Sequence, residues 1–270
     1  MRIRKRNNVQ IYGNGTTPIM FAHGFGCDQH VWEYVIPHFF ETYQVILFDY
    51  VGSGDSSMES YTEERYDSLE GYAEDVIEIL DELHIKDCIF VGHSISGMIG
   101  LEASLKRPEL FRTLVMLGSS PRYLNDGAYQ GVFKEEETAR FFRMIERGDR
   151  TWAAYLAPLA MKNTDDPKRT EELEEMYAYQ NTEVMRRFAE VTFCMDMREK
   201  VKKNTVPSLL LQPKEDAIVP GEAGRFLRTN LPLNHYIELE ETGHYPHLSS
   251  PDLIADHIHR YLETELGKSG

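Results

Sequence analysis

Three side chains in this sequence, Ser94, Asp216 and His244, could together carry out nucleophilic acyl transfer. A serine hydroxyl becomes a competent nucleophile when a histidine takes its proton and a carboxylate orients that histidine. Ser94 lies in Phe90-Val91-Gly92-His93-Ser94-Ile95-Ser96-Gly97, between an apolar run and a helical pattern. A serine nucleophile on a strained strand-to-helix turn needs small residues two positions either side. Gly92 meets that need, and Ser96 replaces the usual second glycine, with Gly97 following at once. A serine between glycines can also be an ordinary tight turn, so the rest of the chain has to decide.

Functional loops of a parallel sheet gather at the carboxyl ends of its strands. Ser94, Asp216 and His244 each follow a predicted strand. Among the other histidines, His93 adjoins the serine but points away on such a turn. His84, His257 and His259 fall on predicted surface helices, and His23 sits in a Gly-rich loop where packing is its expected role. His247, three residues after His244, is the remaining rival. Glu215 and Asp196 compete with Asp216, whose place beyond Leu211 and ahead of Ile218-Val219-Pro220 favours it. An oxyanion hole would use the backbone N–H groups of Phe25 and Ile95, assigned by position because backbone donors leave no side-chain signature.

The elements that must hold these groups alternate. Strands are predicted at 9–12, 18–22, 44–49, 88–91, 114–118, 208–212 and 234–239. Apolar residues at spacings of three and four predict an amphipathic helix over 68–83, with Glu70, Glu74, Asp75 and Glu78 among its other positions. Further helices are predicted at 98–107, 221–228 and 251–266. Such alternation implies right-handed crossovers and a mostly parallel sheet, an α/β fold. Residues 119–204 break the alternation, with helical patterns at 135–146, 151–161 and 171–185 and no strand-like run. A block of that length exceeds one crossover, so it is expected to be a helical cap inserted into a core built from 1–118 and 205–270. The Gly52-Ser53-Gly54 cluster lacks the third glycine of a dinucleotide-binding turn.

Composition narrows the function classes. A length of 270 residues, 41% hydrophobic and 27% charged, describes an ordinary globular chain. A net charge of −15 argues against nucleic acid or an anionic membrane as partner. The basic start, Arg2 to Arg6, has no apolar segment behind it and is not read as a signal peptide. Cys27, Cys88 and Cys194 are odd in number and widely spaced, which fits neither a disulfide framework nor a metal site and points to the cytoplasm.

Four stretches together resemble one branch of the α/β-hydrolases. They are His23-Gly24-Phe25-Gly26-Cys27-Asp28, Phe48-Asp49-Tyr50-Val51-Gly52-Ser53-Gly54, Gly92-His93-Ser94-Ile95-Ser96 and Gly243-His244-Tyr245-Pro246-His247. The run Pro121-Arg122-Tyr123-Leu124-Asn125-Asp126 extends the likeness into the start of the cap. The branch is that of the bacterial stress-response regulator RsbQ and the plant karrikin and strigolactone receptors. The resemblance implies the α/β-hydrolase fold: a sheet of about eight strands, an inserted four-helix cap and a closed apolar pocket above the serine. Carried over by position, Ser94, Asp216 and His244 match the triad, and Phe25 and Ile95 the oxyanion pair. Phe25, Phe133, Trp152 and Phe193 are then the expected pocket wall. Cys194 stands at or beside a position where relatives carry phenylalanine, and is expected to reshape that pocket.

Two functions follow. One is a serine hydrolase of a small apolar ester or lactone, needing no metal or organic cofactor. The other is a ligand sensor that binds or slowly hydrolyses a small hydrophobic molecule and signals to a regulatory partner, such as a stress-response phosphatase. A scaffold used only for protein contact would be expected to have lost a triad member, and a dehalogenase would need an aspartate in place of Ser94.

Overall fold

Short apolar runs rich in valine, isoleucine and leucine become the strands of one sheet, because pleated backbone accommodates β-branched side chains and buries them on both faces. The computed structural model describes residues 2–148, 150–162 and 166–266. Within them lie β1 (Gln10–Tyr12), β2 (Thr17–Ala22), β3 (Tyr43–Leu47), β4 (Cys88–His93), β5 (Phe111–Leu117), β6 (Ser208–Glu215) and β7 (Asn234–Thr242). Their order is β1-β3-β2-β4-β5-β6-β7. β1 runs antiparallel to β3, and the remaining neighbours are parallel. The described residues thus hold seven strands where about eight were expected. The basic start adds none: it coils into α1 (Ile3–Arg6), whose Ile3 N–H donates to Glu82 at 2.6 Å.

The crossover helices are α2 (Leu69–Glu82) and α3 (Ile95–Lys106). Between β5 and β6 come α4 (Glu135–Glu146), α5 (Thr151–Met161), α6 (Pro167–Tyr179), α7 (Thr182–Cys194) and the short α8 (Arg198–Val201). After β6 follow α9 (Gly221–Asn230), and after β7 α10 (Pro246–Ser249) and α11 (Pro251–Leu266). The single helix expected over 171–185 is two. Gln180 is extended, and the Asn181 side chain caps α7 by accepting from the Glu183 and Val184 N–H groups. No helix among the described residues is long and apolar enough to cross a membrane.

Parallel pairing brings the carboxyl ends of β2, β3, β4, β5, β6 and β7 to one edge of the sheet. The segments that leave those ends are 23–28, 48–54, 94, 118–120, 216 and 243–244. They include every residue of the expected triad.

One buried charge secures this edge from below. Asp75, outside the apolar repeat of α2, is fully buried. Its Oδ1 accepts from Arg6 (2.9 Å), Arg65 (3.1 Å) and the Tyr66 hydroxyl (2.9 Å). Its Oδ2 accepts from Asn7 Nδ2 (3.0 Å) and the Val51 N–H (3.2 Å), which ties the carboxylate to the loop after β3. Removing one partner of a buried ion pair leaves the other charge uncompensated. Asp75→Ala should therefore lower stability by about 3 kcal/mol, read as a drop in the urea midpoint. A change below about 1 kcal/mol would show that Arg6 and Arg65 find equal partners in solvent.

Candidate active site

Ser94 occupies a sharp turn between β4 and α3, with φ 56° and ψ −121°. That backbone is strained for any residue with a side chain. Its N–H donates to the Leu117 carbonyl and its own carbonyl accepts from Ser119 Oγ, both at 2.8 Å. Gly92 is required, since a Cβ there would lie 2.6 Å from the Ser96 backbone. The substitution of serine for the second glycine has a function in packing. Ser96 Oγ donates to the His23 carbonyl at 2.5 Å and lies 2.9 Å from the Tyr50 hydroxyl, joining three loops at the site.

His244 bridges the other two groups. Its Nδ1 is 2.6 Å from Asp216 Oδ2 and its Nε2 is 2.9 Å from Ser94 Oγ. A carboxylate only accepts, so Nδ1 carries the proton and Nε2 is free to accept the serine proton. Asp216 Oδ1 accepts from the Ile218 and Val219 N–H groups at 2.7 and 2.9 Å, which fixes the carboxylate plane. Both members of this pair are shielded from solvent, with side-chain exposures of 4% and 0%.

The phenol of Tyr123, fully buried, lies 3.2 Å from Ser94 Oγ. With the serine proton directed to His244, the Tyr123 O–H donates to Ser94 Oγ. Burial pushes this phenol above its ordinary range, so it stays a donor. Tyr123 was legible only as part of the Tyr-Leu-Asn-Asp run and received no role from sequence. Its place shortly after β5, at the same sheet edge, was the available signal.

The space above Ser94 is a cavity of about 20 Å³. Phe25 and Ile218 wall it from the core side. Leu156, Tyr177, Thr192 and Phe193 wall it from the inserted helices. Ile95 is the first residue of α3, where an N–H has no acceptor within its own helix.

Residues 19–257 match the alpha/beta hydrolase family. The chain belongs to that family. It is 36% identical to Karrikin insensitive 2 receptor CA of Petunia hybrida over 98% of each chain. It is also 36% identical to a strigolactone esterase of Arabidopsis thaliana, over 94% of this chain and 96% of that one. A solved hydrolase from Oleispira antarctica superposes with a TM-score of 0.93 at 32% identity, covering 97% and 96% of the two chains. These plant relatives place the chain in the RsbQ-like branch of the alpha/beta hydrolases.

Within this hydrolase frame the expected pocket residues separate. Phe25 and Phe193 reach the cavity. Phe133 lies one layer out, in a groove of about 370 Å³ between α4 and α5 that shares Leu156 and Phe193 with the cavity. Trp152 backs the wall by stacking on Tyr177, ring centroids 5.3 Å apart. Cys194 is a correction. It is exposed and lines a separate outer groove with Tyr61, Val191 and Met195, because one residue along a helix turns the side chain about 100° from Phe193.

The other histidines have structural places. His23 Nε2 accepts from the Tyr50 N–H (3.2 Å), so its Nδ1 donates to the Gly24 carbonyl (3.0 Å). His93 Nε2 donates to the His244 carbonyl at 2.8 Å. His247 is fully buried against Trp32 and His93, ring centroids 4.5 and 4.4 Å away, with neither ring nitrogen hydrogen-bonded. It does not reach the serine. Burial, followed by the nearby His244, holds the His247 imidazole well below the usual histidine range.

That depression makes stability fall with acid. Below the ordinary value of 6.5 the unfolded chain binds a proton that folded His247 refuses, so stability present above that pH is lost as pH drops. Replacing His247 by Phe should shrink the stability lost between pH 7.5 and 5.5 by about 1.4 kcal/mol, measured by urea titration at both pH values. An unchanged loss would mean that His247 accepts its proton without unfolding.

Proposed function

We propose that this chain is a serine hydrolase acting on a compact apolar ester or lactone. The observation that carries the proposal is the continuous chain Asp216–His244–Ser94, with links of 2.6 and 2.9 Å beneath a small cavity. Ser94 Oγ attacks the carbonyl carbon as its proton passes to His244 Nε2. The negative charge forming on the carbonyl oxygen is met by the Phe25 and Ile95 N–H groups, with the N-terminus of α3 adding its favourable field. The imidazolium, steadied by Asp216, returns its proton to the leaving oxygen. Water then repeats the sequence against the acyl-serine. These steps draw on side chains and backbone alone.

In this reading residues 119–204 form a lid on a core made of 1–118 and 205–270. Support comes from Leu156, Tyr177, Thr192 and Phe193, all from that segment, which roof the serine.

A second reading has one specific observation in its favour. The lid is bonded directly to the catalytic base: the His244 N–H donates to the Ala160 carbonyl at the end of α5, at 2.6 Å. Movement of the lid helices would therefore move His244. This suits a sensor whose slow hydrolysis changes the lid surface offered to a regulatory protein partner, such as a stress-response phosphatase. The relatives named Karrikin insensitive 2 receptor CA and strigolactone esterase are consistent with either reading.

Intact-protein mass after exposure to p-nitrophenyl esters, with released nitrophenol followed in parallel, separates the two. Rapid steady turnover with a Ser94 adduct marks a hydrolase, whereas a burst of one equivalent and very slow release marks the sensor. Ser94→Ala should lower turnover by about 10⁴–10⁶ and His244→Ala comparably. Turnover near wild type in Ser94→Ala would remove the nucleophile assignment from both readings.

A further inference from the structure

Thr192 stands on α7 next to Phe193 and lines the Ser94 cavity. It is 1% exposed, and its Oγ1 has no hydrogen-bond partner. A helical threonine ordinarily turns its hydroxyl onto a carbonyl one turn earlier. Thr192 does not. Among the buried, unpartnered side-chain atoms of the described residues, this is the one whose residue lines the cavity.

The other polar groups there are engaged. Ser94 bonds both His244 and Tyr123, and the Tyr177 and Tyr245 hydroxyls pair at 2.6 Å, with Cys27 Sγ 3.4 Å from Tyr245. Valine would fill the same volume without a buried hydroxyl to satisfy, so the hydroxyl is a disadvantage to the fold unless a ligand uses it. The cavity of about 20 Å³ admits only a small group on the acyl side, and the larger remainder of a ligand would extend past Phe193 and Leu156 into the outer groove.

We propose that Thr192 Oγ1 hydrogen-bonds a second oxygen on the acyl part of the substrate, so that the site selects compact esters or lactones oxygenated close to the reacting carbonyl. The proposal rests on the hydrolase reading and narrows its substrate class.

The test uses p-nitrophenyl methoxyacetate and p-nitrophenyl butyrate, which differ by one oxygen in place of a methylene. Each kcat/KM is divided by the ester's own hydroxide rate to remove intrinsic reactivity. The methoxyacetate-to-butyrate ratio should fall about five- to tenfold in Thr192→Val and be retained in Thr192→Ser. An unchanged ratio in Thr192→Val would overturn the proposal, leaving the hydroxyl with no part in substrate selection. The Tm of Thr192→Val should equal or exceed that of wild type. A drop of several degrees would also overturn it, by showing that the fold itself uses the hydroxyl. Should neither ester acylate Ser94 in the wild-type protein, seen by intact mass, the hydrolase reading fails first and separately.

Discussion

The strained turn at Ser94 governs the geometry of the whole sheet edge. A backbone at φ 56° does not persist unless its surroundings over-determine it. Here β5 supplies the restraint from one side, through the Leu117 carbonyl and Ser119 Oγ. Ser96 supplies it from the other by joining the loops after β2 and β3. The order β3-β2-β4-β5 is what places those three loops within reach of one serine. Relaxing the turn would withdraw Oγ from His244 and displace the Ile95 N–H together, since both belong to the same two residues.

The proposed base is held less by the sheet than by the inserted helices. Gly243, at φ 100°, lets the carbonyl end of α5 approach so closely that a Cβ would collide with the Met161 carbonyl. The last carbonyls of a helix lack partners within it, and the His244 N–H satisfies that of Ala160. The Tyr177–Tyr245 hydroxyl pair adds a second tie between α6 and the same loop. His93 closes the arrangement from beneath by donating to the His244 carbonyl. Ser94 is thus fixed by the core, and His244 by both core and insert.

What was legible in sequence followed from local pattern. Ser94, Asp216 and His244 each stand just beyond an apolar run, and parallel pairing brings such positions together without further information. The helices over 135–146 and 251–266 appear with the same bounds because their periodic patterns are uninterrupted, and that over 151–161 keeps its bounds with Pro158 inside it. The burial of Asp75 was not legible, because a carboxylate adds nothing to the apolar periodicity although it lies three residues from Tyr72 and four from Ile79 on the buried side of α2. The break at Gln180–Asn181 was hidden by apolar residues whose spacing continues across it. Cys194 and Phe193 are neighbours in sequence but face different grooves. The small cavity volume has no sequence signature at all, since it depends on how Phe25, Phe193 and Tyr123 fit together.

That volume also bears on why esterases and receptors share one architecture. Deacylation needs a water at His244 Nε2, and a space of about 20 Å³ holds little more than one small group. In the proposed hydrolase reading, a ligand that fills it excludes water, so that the acyl-serine would persist. Its lifetime would then be set by the release of the ligand past Leu156 and Phe193, both carried by helices of the insert. The helix that carries Leu156 also holds His244 through the Ala160 carbonyl, so a displacement that opens the cavity loosens the base at the same time. In the proposed reading, turnover and lid position are consequences of one set of contacts. A fast hydrolase and a slow sensor would differ in how firmly α5 grips Gly243 and His244, with the same triad in both.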